Sequence, residues 1–158
     1  MNPSLVLLLA FLIGVVCGLR SLTAPALVAW AAHRSWIDLH NTSLAFMGSA
    51  AAVVIFTLLA IGELVADQLP STPARTAPPG LIARIILGGL SGAGIALAGG
   101  QSIAGGSILG VLGGIAGAFG GYQVRTRLVK APKVPDLVIA LLEDAVAIGG
   151  GLFLVSRF

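Results

Sequence analysis

The side chains able to do chemistry are few and crowd into apolar surroundings. Four of the six acidic residues are Glu63, Asp67, Glu143 and Asp144, and each lies in or beside a long apolar run. Glu63 and Asp67 are four apart and so share a helix face. Stepping back along that face gives Ala60, Phe56, Ala52, Ser49 and Ala45, a mostly small stripe suited to another helix. Glu143 shares its face with Ala140, Ala147 and Gly150, and lies seven residues past Asp136. At 1.5 Å of rise per residue that is roughly 10 Å into the segment. An ionised group at such depth costs about 3 kcal/mol on insertion scales, so it pairs, faces the bundle interior or marks a pathway. Arg84 and Arg125 are the expected partners of Glu143, while Arg20 is expected at a second polar position nearer the outer half. We take Arg20, Glu63, Asp67, Arg84, Arg125, Glu143 and Asp144 as a candidate substrate or ion site. Three kinds of chemistry are open to it. The charges can form ion pairs that fix helix register, or couple to a proton or small ion. They can also act on a phosphorylated lipid, with Glu63/Asp67 holding Mg²⁺ and Arg75, Arg125 and Arg127 taking phosphate.

Other chemistry is thin. His33 and His40 are seven apart with no H-E-x-x-H and no cysteine cluster, so neither a metal nor a cofactor is expected. No G-x-S-x-G elbow, Walker-type loop or G-x-G-x-x-G turn after a strand is present. A single cysteine, Cys17, makes no intrachain disulfide. Trp30 and Trp36 fit an interfacial aromatic belt.

The elements that must position these residues follow from composition. Of 158 residues 57% are hydrophobic and only 9% are charged, against about 25% charged in a soluble domain. Mean hydropathy is +1.03. Such a chain cannot clothe its surface in solvated groups, which excludes a soluble globular domain, a disordered tail and a nucleic-acid partner. The lipid bilayer is its solvent. The first nineteen residues carry no charged side chain, so the positive region of a signal peptide is missing and a retained membrane helix is expected.

A bilayer core about 30 Å thick needs ~20 apolar residues per helix. Residues 85–124 are forty in a row without a charge, too many for one crossing, with a turn at Gly99-Gly100-Gln101-Ser102. The expected segments are 4–32, 44–66, 80–99, 103–122 and 137–156, in one domain spanning 1–158. Pro25 must kink or break the first of these. It forms either one long broken crossing, the favoured arrangement, or a re-entrant hairpin tipped near Arg20. Arg75, Arg84, Arg125, Arg127, Lys130 and Lys133 fall on one side against Arg34 and Arg157 on the other. That bias places loops 67–80 and 125–135 in the cytoplasm, and the C-terminus and loop 33–43 outside. Fourteen of the 22 glycines lie between Gly88 and Gly121. Gly106, Gly110 and Gly114, then Gly117 and Gly121, recur at the spacing that lets helix backbones meet, within one chain or across a dimer seam.

Gly18-Leu19-Arg20-Ser21-Leu22-Thr23-Ala24-Pro25 resembles the N-terminal motif of a family of small bacterial membrane proteins catalogued as domain of unknown function 4126. Glu63-Leu64-Val65-Ala66-Asp67-Gln68-Leu69-Pro70 is similar to that family's E-x-x-x-D-K-x-P segment, with Gln68 standing in for the lysine. Pro73-Ala74-Arg75-Thr76 and Glu143-Asp144 fit the same pattern. The resemblance implies a multi-pass protein of the bacterial inner membrane and carries no activity with it. The expected architecture is an all-α polytopic membrane bundle of about five segments. Halves 4–66 and 80–156 are compatible with a weak inverted repeat. The expected function is a small transporter or channel-like homo-oligomer for a small molecule or ion. A lipid-acting membrane enzyme or an assembly protein without a substrate are the alternatives.

Overall fold

Apolar runs in lipid can satisfy their backbone only internally, and the chain folds accordingly. In the computed structural model, residues 1–67, 76–129 and 136–158 are described. Stretches 68–75 and 130–135, with Gln68, Arg75, Lys130 and Lys133, lie outside them. The helices are α1 (Pro3–Leu19), α2 (Thr23–His33), α3 (Ala50–Ala66), α4 (Pro78–Ala98), α5 (Ile103–Val129) and α6 (Asp136–Val155). A short 3-10 turn covers Ala45–Gly48, and the described residues hold no strand.

Local chemistry sets several of the ends. The Asn2 side chain accepts from the Ser4 N–H at 3.0 Å, with Pro3 at the first helical position. Ser49 accepts from the Ala52 N–H at 3.1 Å, so α3 begins at Ala50 and residues 44–48 precede it as a turn. Gly100, at φ +70, takes the left-handed conformation that ends α4 and lets Gln101 N–H reach the Ala96 carbonyl at 2.8 Å. α5 continues to Val129 rather than stopping near 122. Arg125 and Arg127 are good helix formers, and no Gly or Pro interrupts between them and Val129.

Helices α4, α5 and α6 are each long and apolar enough to cross a membrane; α1 and α3 are shorter apolar helices. α1 runs beside α5 in the same direction, with Gly14 against Gly110 and Gly18 against Gly114 and Gly117. α4 runs antiparallel to α5, with Gly88 against Gly110 and Gly92 against Gly106. A Cβ at Gly88 would stand 2.7 Å from the Gly110 carbonyl oxygen, so these backbones touch directly. The glycine periodicity therefore serves packing within the chain. Gly106, Gly110, Gly114 and Gly117 all lie at these seams, whereas Gly121 lies on the wall of a cleft between α5 and α6.

The first apolar segment folds as a helical hairpin with its tip at Arg20, and not as the one run in a single direction that the favoured broken crossing expects. Val6 near the start of α1 lies against Gly99, at the α4–α5 turn. α2 runs back along α3: Leu22 lies by Glu63, Trp30 Nε1 donates to Thr57 Oγ1 at 2.9 Å, and the His33 ring meets the Gly48 carbonyl at 2.9 Å. Val28 meets Gly94, high on α4, and Gly151 of α6 sits beside both Val16 and Leu27. Both arms thus lead from Arg20 to the same end of the bundle. A straight continuation of α1 would have carried α2 away from α3 and past the start of α4. Each half is a helical hairpin followed by a single helix, and the two hairpins open to opposite ends. The first is the shorter, with arms of 17 and 11 residues against 21 and 27. Trp30, Trp36 and Arg34 line a pocket with Leu152 and Val155 at the end holding both termini.

Candidate functional site

A helix broken at depth leaves carbonyls at one end and N–H groups at the other without partners. Two buried side chains from other helices meet these needs. Arg84 of α4 donates from Nε to the Gly18 carbonyl at 3.0 Å, and from Nη1 to the Gly80 carbonyl at 2.9 Å. Glu63 of α3 caps the start of α2. Its Oε1 accepts from Ser21 N–H at 2.8 Å and Ser21 Oγ–H at 2.6 Å, and its Oε2 accepts from Leu22 N–H at 2.8 Å. A cation thus meets the carbonyl end and an anion the N–H end, as the opposed helix dipoles require. Arg84 Nη2 and Glu63 Oε1 are 3.9 Å apart, so the two caps also face each other. The Cys17 thiol donates to the Ser21 carbonyl at 3.2 Å, adding a bond within the turn.

Arg20 sits at the apex, with 0% of its surface exposed. Its Nε donates to Asp144 Oδ1 at 2.5 Å, and its Nη1 pairs with Asp67 Oδ2. Its Nη2 is buried and finds no acceptor among the described residues. Among the described residues, three carboxylates (Glu63, Asp67, Asp144) therefore meet two guanidiniums (Arg20, Arg84). Charges at this depth persist only while each has a partner.

Five of the seven expected site residues are brought together: Arg20, Glu63, Asp67, Arg84 and Asp144. Arg20 does not mark a separate position nearer the outer half, because the hairpin carries it down to the same carboxylates. Arg125 and Glu143 face each other across α5 and α6 at 3.8 Å, so Arg125 is one of the partners of Glu143. Neighbouring residues on a helix point about 100° apart, which sends Glu143 and Asp144 to different partners. Glu63 and Asp67 do not converge as a metal-binding pair. Both Glu63 oxygens take N–H and O–H donors, and Asp67 turns to Arg20. Sequence reasoning missed Ser21, whose hydroxyl and N–H both reach Glu63. A serine just before a proline-bearing helix start was its available signal. Arg75, the other expected phosphate ligand, lies outside the described residues.

Apolar helices around a buried charged core, with large aliphatic side chains such as Leu58, Ile86, Ile108 and Val146 turned outward, define a helical integral membrane protein. The chain belongs to the family described as domain of unknown function (DUF4126), whose match covers residues 7–156. No curated protein and no solved structure matches it.

Proposed function

We propose that this is a small transporter or channel-like protein of the bacterial inner membrane, in which the Arg20 cluster binds and releases a proton or small cation. Loops 67–80 and 125–135 face the cytoplasm in this reading. The observation that carries it is the sharing of one fully buried guanidinium between Asp67 and Asp144, on two different helices. Glu63 and Arg84 have a structural task at the helix break. Asp67 and Asp144 show no partner other than Arg20 among the described residues. A proton or cation that takes one carboxylate loosens α3 or α6 from the hairpin tip, which is how an ion couples to helix movement. Broken helices whose ends meet charges at depth are the usual architecture of such sites. Six short helices enclose little volume, so the working unit is a homo-oligomer.

The test is ion flux into sealed vesicles of reconstituted protein, followed with a pH-sensitive dye and with sodium and potassium gradients. Flux above that of protein-free vesicles is expected, with Asp144→Asn abolishing it while the protein stays monodisperse. Absence of proton, sodium and potassium flux in the parent protein would overturn the reading.

A further inference from the structure

Three consecutive glycines, Gly149-Gly150-Gly151, interrupt the apolar run of α6. Packing accounts for Gly151, where a Cβ would run into Leu27 of α2. It does not account for the other two, because a Cβ at Gly149 or Gly150 meets nothing within 4 Å. Glycine inside a helix forfeits stability relative to alanine, and adjacent glycines are a common point of bending.

Helix α6 is fastened differently on the two sides of that point. On the C-terminal side, Gly151 lies against Val16 and Leu27, and Leu154 and Val155 are buried. On the N-terminal side the helix barely touches α5 and leaves a cleft of about 260 Å³. Val124 and Leu128 of α5 wall it opposite Leu142 and Val146 of α6, and Glu143 faces Arg125 across it at 3.8 Å. Apart from Asp144, the buried positions from 138 to 148 are Ile139, itself in the cleft wall, and the small Ala140 and Ala147. The contact of Asp144 with Arg20 is therefore the chief tie between this limb and the hairpin tip. α3 is held more firmly. One turn before Asp67, Glu63 takes three donors of the same tip, so releasing Asp67 leaves α3 in place.

We propose that α6 is the moving element. When Asp144 leaves Arg20, the limb N-terminal to Gly149 bends at Gly149-Gly150 toward α5 and closes the cleft, while residues 151–155 stay on the hairpin. What releases Asp144 rests on the transport reading, which this deepens by naming the helix, its pivot and its path. Leu141 is eight residues from Gly149, about 12 Å along the axis, so a bend of about 20° carries it roughly 4 Å.

The experiment uses the full chain in lipid nanodiscs, with spin labels on cysteines introduced in pairs and distances read by pulsed electron resonance. Leu141 with Tyr122 reports across the cleft, and Phe153 with Leu112 reports on the same two helices beyond the pivot. All four positions are exposed, and the buried Cys17 takes no label. Asp144→Asn stands in for a protonated, released Asp144. It is expected to shorten the first distance by about 4 Å and leave the second unchanged. Adding Gly149→Ala with Gly150→Ala is expected to cancel that shortening without lowering the melting temperature, since alanine is the better helix former. In vesicles the two alanines alone are expected to abolish the ion flux of the parent. An unchanged first distance in Asp144→Asn overturns the proposal, as does the same shortening with the alanines present. Full flux in the double alanine variant overturns it too, and so does a dimer that the alanines dissociate, which would make these glycines a seam between copies. A parent without flux overturns the transport reading, and the distances then decide the pivot by themselves.

Discussion

Arg20 and Asp144 are 124 positions apart in the chain, yet Nε of the first lies 2.5 Å from Oδ1 of the second. Through that contact the last helix holds the apex of the first hairpin. Asp67, at the end of α3, grips the same guanidinium from another side. The two arms of the hairpin, α3 and α6 are thereby tied at one point.

Removing Arg20 alone takes from the buried Asp144 and the half-buried Asp67 the one cation they pair with among the described residues. Losing one partner of a buried pair costs about 3–5 kcal/mol. Arg20→Met is therefore expected to abolish monodisperse expression. Combining it with Asp67→Asn and Asp144→Asn is expected to restore it, as judged by size-exclusion profile and melting temperature. A triple variant no better than the single would contradict the pairing.

Arg20→Lys keeps the charge but not the fork that reaches two carboxylates at once. The protein is expected to insert and remain monodisperse while ion flux in vesicles is lost. Full flux in this variant would remove Arg20 from the working site.

Glu63 holds three donors at the start of α2, and bonds to a charged acceptor contribute about 1.5–3 kcal/mol each. Glu63→Ala is expected to lower the melting temperature strongly. Glu63→Gln, which keeps an acceptor oxygen but loses the charge, is expected to fall between the two. Indistinguishable melting curves for all three proteins would count against the cap.

Gly110 faces both Gly14 of α1 and Gly88 of α4, whereas an added Cβ at Gly120 meets nothing within 4 Å. Gly110→Ala is expected to destabilise, because its Cβ would be driven into the Gly88 and Gly92 backbone of α4 and such overpacking typically costs about 1–3 kcal/mol. Gly120→Ala is expected to be neutral. Parallel thermal melts in detergent separate the two.

The hairpin sets the sidedness of the N-terminus. Cysteines introduced at Asn2 and at His40 are expected to react with a membrane-impermeant maleimide from one and the same side. One at Arg127 is expected to react from the other. Cys17 is fully buried and does not compete. Labelling of Asn2 from the side of Arg127 would restore the single broken crossing.

Much of this architecture is legible before any coordinates. The charge-free run 85–124 marks most of α4 and α5, apolar length marks α6 despite Glu143 and Asp144 within it, and Gly99-Gly100 marks the turn between the first two. The i, i+4 glycines mark where backbones meet. The acids Glu63, Asp67 and Asp144 stand out because lipid leaves them nowhere else to go. The direction of α2 was hidden, because Pro25 says only that the helix breaks and not which way the chain turns afterwards. Which charge meets which was hidden too. Glu143 and Asp144 are adjacent, and only the rotation of α6 decides that one takes Arg125 and the other Arg20. Spacing along a helix fixes faces, while the angle between faces of separate helices belongs to the packing.

The span between Arg20 and Asp144 also orders the making of the protein. At ~5–20 residues per second a ribosome needs roughly 6–25 s to travel from one to the other. Throughout that interval the hairpin tip carries a cation whose last partner does not yet exist. The contact that ties the hairpin tip to α6 therefore forms only once α6 has been made, whereas the pairing of Arg20 with Asp67 is open to it much earlier. In this protein the segment made first is the one completed last.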